Sequence, residues 1–260
     1  MIDQPILFRN QKNISKIVLN RSHKRNAISR ELLNALQKVL LQLRDDSSVS
    51  CLLLTGSGEK AFCAGADLQE RASMSEEEVV AFLDQFRETL DILENLPFPV
   101  VAALNGSAFG GGLEIALACD LRIARERASF GLTEAKLGII PGAGGTQRLS
   151  RLVGVAKAKE LIFLGKRLPG KAALAYGLVN QCFSDAEYEE KLAQLVEELM
   201  SSAPLSLKFA KTAIDRGLTM NLSAALDLER QLYNKTLTTK DRLEGLLAFR
   251  EKRKPVFKGE

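Results

Sequence analysis

Residues 100–124, VVAALNGSAFGGGLEIALACDLRIA, decide how the rest of the chain reads. The apolar run 100–104 has the length and the valine-rich start of a buried strand. Gly110, Gly111 and Gly112 then open a short helix that continues through Ala118, and 121–124 is a second apolar strand. A strand, a glycine turn, a helix and another strand in succession predict an α/β domain.

The pattern holds on the N-terminal side. Strands are expected at 6–8 and 14–20, joined by a polar turn at 10–13. Ser29 begins a helix whose apolar set Leu32, Leu33, Leu36, Val39, Leu40 and Leu43 recurs at helical spacing. A buried strand, SCLLLT at 50–55, is closed by Gly56 and Gly58. Residues 75–96 read as a long amphipathic helix, with Ser75 as N-cap, Glu76, Glu77 and Glu78 at the positive end of its dipole, and Pro97 and Pro99 as its stop. From about Gly154 onward helices replace the alternation, at 155–163, 171–175, 185–201, 205–217, 223–234 and 239–252. The expected organisation is an α/β core over 1–200 and a helical C-terminal region over 201–260.

Composition excludes several classes. The chain has 260 residues with 46% hydrophobic and 26% charged, as in globular domains. A net charge of +4 is too small for a dedicated nucleic-acid binder. Cys51, Cys63, Cys119 and Cys182 lack metal-ligand or CxxC spacing and read as reduced thiols of an intracellular protein. His23 is the only histidine, which leaves Ser-His and His-metal chemistry almost no material. No signal-like N-terminus or membrane-length apolar run is seen.

The glycine turn can present the free N–H groups of a first helical turn to an anion or an oxyanion, or it can serve only for tight packing. Phosphate motifs fail: Gly106 and Gly111 have P-loop spacing but no Lys-Ser/Thr follows, and 142–147 breaks GxGxxG at its last position. A second small-residue turn, FCAGADL at 62–68 with Asp67 as a helix cap, could supply another donor, and two donors converging on one oxygen would form an oxyanion hole. Glu114 sits in an otherwise apolar helix, and Glu134 lies just before the loop 139–145. Singly, Glu134 reads as a solvated glutamate and Glu114 as the rim of its helix. Together, two carboxyls flanking one water can act as base and acid if their surroundings separate their pKa values.

The segments AFCAGADL (61–68), NGSAFGGGLEIALACDLRIA (105–124), FGLTEAKLGIIPGAGGTQRL (130–149) and TKDRLEGLLAFREKRKPVFKG (239–259) resemble, in order, the blocks of the crotonase, or enoyl-CoA hydratase/isomerase, superfamily. The resemblance spans essentially the whole chain and is greatest to short-chain enoyl-CoA hydratases and to the methylglutaconyl-CoA hydratase/AU-rich-RNA-binding branch. It implies the crotonase (ClpP-like) fold of stacked ββα units, with a helical C-terminal region that trimerises, in a homotrimer or homohexamer. By its motifs the oxyanion donors are the N–H groups of Ala66 and Gly111, and the acid/base pair is Glu114 and Glu134. The resemblance places CoA against Lys24, Ala27, Ala64, Asp67 and Leu68, largely through backbone groups, with Phe249 and Lys252 closing over it from the same or a neighbouring subunit. One block departs from the family: Asn20-Arg21-Ser22-His23 stands where Asn-Arg-Pro-Lys is common, so only backbone contacts carry over there.

The activity so implied is hydration of 2-enoyl-CoA to 3-hydroxyacyl-CoA in fatty-acid or branched-chain acyl-CoA degradation (β-oxidation), in the cytoplasm, or in the mitochondrial matrix for a processed eukaryotic chain. No metal or redox cofactor is required, and CoA enters as part of the substrate. A Δ3-Δ2-enoyl-CoA isomerase is the main enzyme alternative, and it needs only one carboxylate. Binding of RNA is a different class: the helix from Arg30 to Arg44 carries Arg30, Lys38 and Arg44, but Asn34 stands at what looks like a lysine position of that branch. An inert CoA-binding protein is disfavoured by the intact glutamates, and a serine protease by the position of His23. The acyl tail is expected between 72–86 and 139–143. Methylglutaconyl-CoA would need a cation for its distal carboxylate, and the sequence singles out none.

Overall fold

The computed structural model describes residues 4–11 and 13–260. The chain forms two compact units: the described residues up to Leu96 with Val100–Leu192, and Pro97–Pro99 with Ala193–Glu260.

The first unit holds two sheets. The larger contains β1 (Ile6–Gln11), β2 (Ile14–Leu19), β3 (Cys51–Gly56), β5 (Val100–Leu104), β7 (Leu121–Arg125) and β10 (Gln181–Phe183), in the order β1-β2-β3-β5-β7-β10. Only the β1–β2 pair is antiparallel. Both faces of the central strands are covered, so β5 is buried along its whole length and its sequence is a continuous apolar run. In β2 the sides alternate: Ile17 and Leu19 are fully buried while Lys16 is exposed.

The smaller sheet runs β4 (Ala61–Cys63), β6 (Ser107–Phe109), β8 (Ser129–Gly131) and β9 (Leu168–Pro169), with β9 antiparallel. The pairs β3/β4, β5/β6 and β7/β8 each place one strand in each sheet, so the chain crosses repeatedly between the two layers. Asn105 fixes one crossing. Its Oδ1 accepts from Gly56 N at 3.0 Å and from Thr55 Oγ1 at 3.1 Å, and its Nδ2 donates to Gly58 O at 2.7 Å.

Helix α1 (Arg30–Arg44) is capped by Ser29, whose Oγ accepts from Leu32 N at 3.2 Å, and buries Leu32, Leu33, Leu36, Leu40 and Leu43. Each such leucine contributes about 1.5–3 kcal/mol. Val39, expected in the same face, is only half-buried. After the short α2 (Leu68–Arg71) comes α3 (Glu76–Glu94), which begins with a complete capping box: Glu78 N donates to Ser75 Oγ and Ser75 N to Glu78 Oε2. Next is α4 (Gly111–Leu117), buried throughout. The guanidinium of buried Arg122 reaches Cys119 O at 2.6 Å and Leu178 O at 2.9 Å, so a cation closes the C-terminal end of α4. Then follow α5 (Gly145–Val153), α6 (Val155–Leu164), α7 (Gly170–Tyr176) and α8 (Tyr188–Met200).

In the second unit α9 (Pro204–Gly217) packs on α10 (Leu222–Thr236), and α11 (Lys240–Glu251) follows. Buried Asp241 accepts from Lys258 N at 2.7 Å and Gly259 N at 2.8 Å, which ties down the end of the chain. No helix among the described residues is long and apolar enough to cross a membrane.

Several expectations change. The first strand runs to Gln11, because each of its residues pairs with β2; Lys12 of the expected polar turn lies outside the described residues. Helix α5 was not expected, since its start at Gly144 and Gly145 resembles a loop. The strands of the smaller sheet span three residues or fewer, too short for alternation to register.

Candidate active site

Two tight turns meet just after β4 and β6, paired strands of the smaller sheet. The first follows β4 at Ala64-Gly65-Ala66-Asp67. Here Ile28 N donates to Gly65 O at 2.8 Å and Asp67 N donates to Ile28 O at 2.9 Å, a parallel bridge between Ile28 and Ala66. In that arrangement the N–H of Ala66 points away from the Ile28 segment. The second turn follows β6 at Gly110, whose φ is +50°, and leads to Gly111, the first residue of α4. The N–H of a first helical residue has no acceptor inside its helix. The turns touch: a Cβ added to Gly65, which has φ +98°, would lie 2.9 Å from Phe109 O and 3.5 Å from Gly111 N. Only glycine permits both the conformation and the approach.

The first turn is held from behind by Arg21. Its Nη1 donates to Ala27 O at 2.6 Å and its Nη2 pairs with Asp67 Oδ2 at 3.0 Å, while Asp67 Oδ1 caps α2. Burial would raise the Asp67 pKa, but Arg21 and the cap N–H groups outweigh it and hold the carboxyl below its usual value. The Asp67 side chain is therefore spent inside the protein.

Ala66 and Gly111 line a cavity of about 760 Å3, and Glu114 and Glu134 line it too. Glu114, only 3% exposed, stands one turn into α4. Its Oε1 accepts from Ala143 N and Gly145 N, both at 2.8 Å. Burial raises its pKa; the two N–H donors and the charge of Arg148 oppose that rise. Glu134 opens a single 3-10 turn, Glu134–Leu137, and its buried Oε2 has no hydrogen-bond partner among the described residues. A Cβ on Gly110 would lie 3.2 Å from Glu134 Oε1, which puts this carboxyl against the second turn. Burial pushes the Glu134 pKa up to about 7; its own backbone N–H lowers it, and the charge of Glu114 adds to the rise.

Arg148 braces the loop that holds Glu114. It donates to Ala143 O at 2.9 Å, pairs with Glu94 at 2.7 Å and reaches Asp91 at 3.2 Å. Reading the sequence alone missed it, although it lies in the quoted block 130–149, because its carboxylate partners are more than fifty positions away.

Val79, Phe82, Leu83 and Phe86 of α3 face Ile139, Ile140, Pro141 and Gly142 across the cavity, within the two stretches expected to hold an acyl tail. Of the residues expected near CoA, Ala64 and Leu68 line the cavity, Ala27 is buried and Lys24 is exposed with its Nζ on Gln69 Oε1. Phe249 and Lys252 belong to the second unit: Phe249, on α11, is 86% exposed, and Lys252 caps that helix in the left-handed conformation. His23 is exposed on a 3-10 turn and does not line the cavity. On the helix weighed for RNA binding, Arg30 pairs with Glu78, Arg44 with Asp45, and Asn34 accepts from Gln85.

Residues 9–260 match the family described as enoyl-CoA hydratase/isomerase. An enoyl-CoA hydratase/isomerase of Bacillus subtilis is 47% identical over 248 residues, covering 95% of both chains. The human mitochondrial methylglutaconyl-CoA hydratase is 44% identical over 254 residues, covering 96% of this chain and 75% of that protein. The crystal structure of an enoyl-CoA hydratase from Bacillus anthracis superposes with a TM-score of 0.96 at 49% identity, covering 99% of this chain and all of that one.

Proposed function

This chain belongs to the enoyl-CoA hydratase/isomerase family, and on that premise we propose that it adds water across the α,β double bond of 2-enoyl-CoA thioesters to give 3-hydroxyacyl-CoA. One observation carries the reading. Two carboxyls held in different surroundings line the same largely apolar cavity as two turns that each offer a backbone N–H.

The thioester oxygen accepts from Ala66 N and Gly111 N. Negative charge moves onto that oxygen as the β-carbon is attacked, and each such donor is worth about 2.7–4 kcal/mol in the transition state. Glu114, whose charged form its two N–H donors and Arg148 favour against burial, takes a proton from water as the water oxygen bonds to the β-carbon. Glu134, kept protonated by burial, delivers its proton to the α-carbon as the enolate collapses. Water is thereby consumed, and a proton passing from Glu114 to Glu134 through solvent resets the pair. Glu134 is the principal acid/base, and Glu114 positions and activates the water. Environments that separate two like groups in this way assign their roles. The CoA arm lies along Lys24, Ala27, Ala64 and Leu68, with Asp67 contributing backbone only.

Exposed Leu218 and Leu222 of the second unit (79% and 74% exposed) support a homotrimer or homohexamer that covers them, which sedimentation would test. For the reaction, crotonyl-CoA should lose its conjugated thioester absorbance on addition of the protein. Turnover of a 3-enoyl-CoA with none of crotonyl-CoA would instead make the chain an isomerase.

A further inference from the structure

Arg71, the last residue of α2, is half-buried and lines the same cavity as the glutamates. Its guanidinium lies over the ring of buried Phe82, 5.4 Å from the centroid, and its Nη1 makes one long contact, 3.5 Å, to Val79 O. Both neighbours belong to the apolar wall on α3. Three other arginines close to the site are matched with carboxylates: Arg21 with Asp67, Arg30 with Glu78, Arg148 with Glu94. Among the described residues Arg71 has no ion pair, and the adjacent Glu70 carboxylate instead accepts from Arg30 N. Burial lowers the Arg71 pKa with no acidic neighbour opposing it. Arg71 is also the one cation among the residues that line this cavity.

A guanidinium drawn out of water without a counter-ion is unfavourable unless a ligand completes it. Its planar fork matches a carboxylate in two parallel hydrogen bonds. We propose that Arg71 is a specificity-determining residue that receives a carboxylate at the far end of the acyl chain, so that the site takes enoyl-CoA thioesters of dicarboxylic acids. This rests on the hydratase reading above and names the substrate class of that same site. The position of Arg71 against Val79 and Phe82, rather than beside Lys24 and Ala27, assigns it to the acyl chain and not to the phosphates of CoA.

The test compares glutaconyl-CoA with 5-methylhex-2-enoyl-CoA, in which an isopropyl group replaces the carboxylate, and with crotonyl-CoA. The wild-type protein should favour glutaconyl-CoA over the isopropyl probe by roughly tenfold or more in kcat/KM. In Arg71→Met that ratio should fall by roughly thirty- to a hundredfold, as for a truncated buried charge pair, and the loss should appear in KM rather than kcat. Arg71→Lys should retain part of the preference, which a purely structural role would not produce. Equal turnover of the two probes by the wild type overturns the proposal. So does an Arg71→Met variant that weakens all three thioesters alike, since that pattern belongs to the shared CoA moiety or to folding. If the wild type turns over none of the three, the hydratase reading itself fails, a result distinct from either.

Discussion

Glu114 stands on α4, a helix buried along its whole length, with one carboxylate oxygen held by two backbone N–H groups. Glu134 stands on a single 3-10 turn that leads into exposed Leu137, Ile139 and Ile140, and one of its oxygens is buried with no partner. Burial raises both pKa values. At Glu114 the donors and Arg148 oppose the rise, whereas at Glu134 the charge of Glu114 adds to it. Two identical side chains in one cavity are thus set apart, because Glu114 accepts from two loop N–H groups and feels the charge of Arg148, whereas one oxygen of Glu134 has no donor among the described residues. The rigid partner suits holding a water, and the unpartnered one suits exchanging a proton.

The comparison breaks first, and by the largest margin, if the glutamates are dispensable. Glu134→Gln and Glu114→Gln should each lower kcat on crotonyl-CoA by about 10²–10⁴-fold, the usual range for a positioned acid or base. Near wild-type turnover in either variant would remove that glutamate from the chemistry. Arg148→Met sharpens the contrast from the Glu114 side. Freeing Ala143 O and removing the nearby charge should lower kcat by roughly ten- to a hundredfold, as for a misplaced catalytic group. It should also shift the acidic limb of the pH profile upward, because the Glu114 carboxylate loses a stabilising cation; an unmoved limb would show that Arg148 acts on folding alone.

The Glu134 side is read by pH in the wild type. With its pKa near 7, hydration kcat/KM should fall about tenfold per unit above that point as the acid ionises. Dehydration of the 3-hydroxyacyl-CoA starts with the proton on Glu114 instead, the same net protonation state, so its kcat/KM should fall above the same point. A kcat/KM that does not fall above about pH 7 would undo the assignment. The smallest effect is on stability. The folded-state pKa of Glu134 lies above its ordinary 4.5, so its contribution is fully present below about 4.5 and is lost as pH rises through about 7. Glu134→Gln should therefore unfold later than the wild type in urea at pH 8, by ~1 kcal/mol once screening of this partly exposed group is allowed for. At pH 4 the two should coincide.

Much of the fold was legible residue by residue. Ser29 and Ser75 announced their helices, the leucines of α1 recurred at helical spacing, and the apolar run of β5 was a buried strand on sight. The two glycine turns also stood out, because runs of small residues are conspicuous, and Glu114 because it interrupts an apolar helix; Glu134 alone read as a solvated glutamate. These features depend on interactions a few positions apart, so the amino-acid order alone determines them.

Other features came only with the third dimension. The strands of the smaller sheet are too short to carry a period and exist because neighbouring strands offer them partners. Arg148 and Arg71 are ordinary arginines in the sequence. Arg148 acquires meaning from Glu94 and Ala143 O, and Arg71 from the cavity it lines and the lack of a counter-ion beside it. The difference between Glu114 and Glu134 is likewise invisible until folding buries both and brings the Ala143 and Gly145 N–H groups to Glu114, because a pKa measures the whole surroundings of a group.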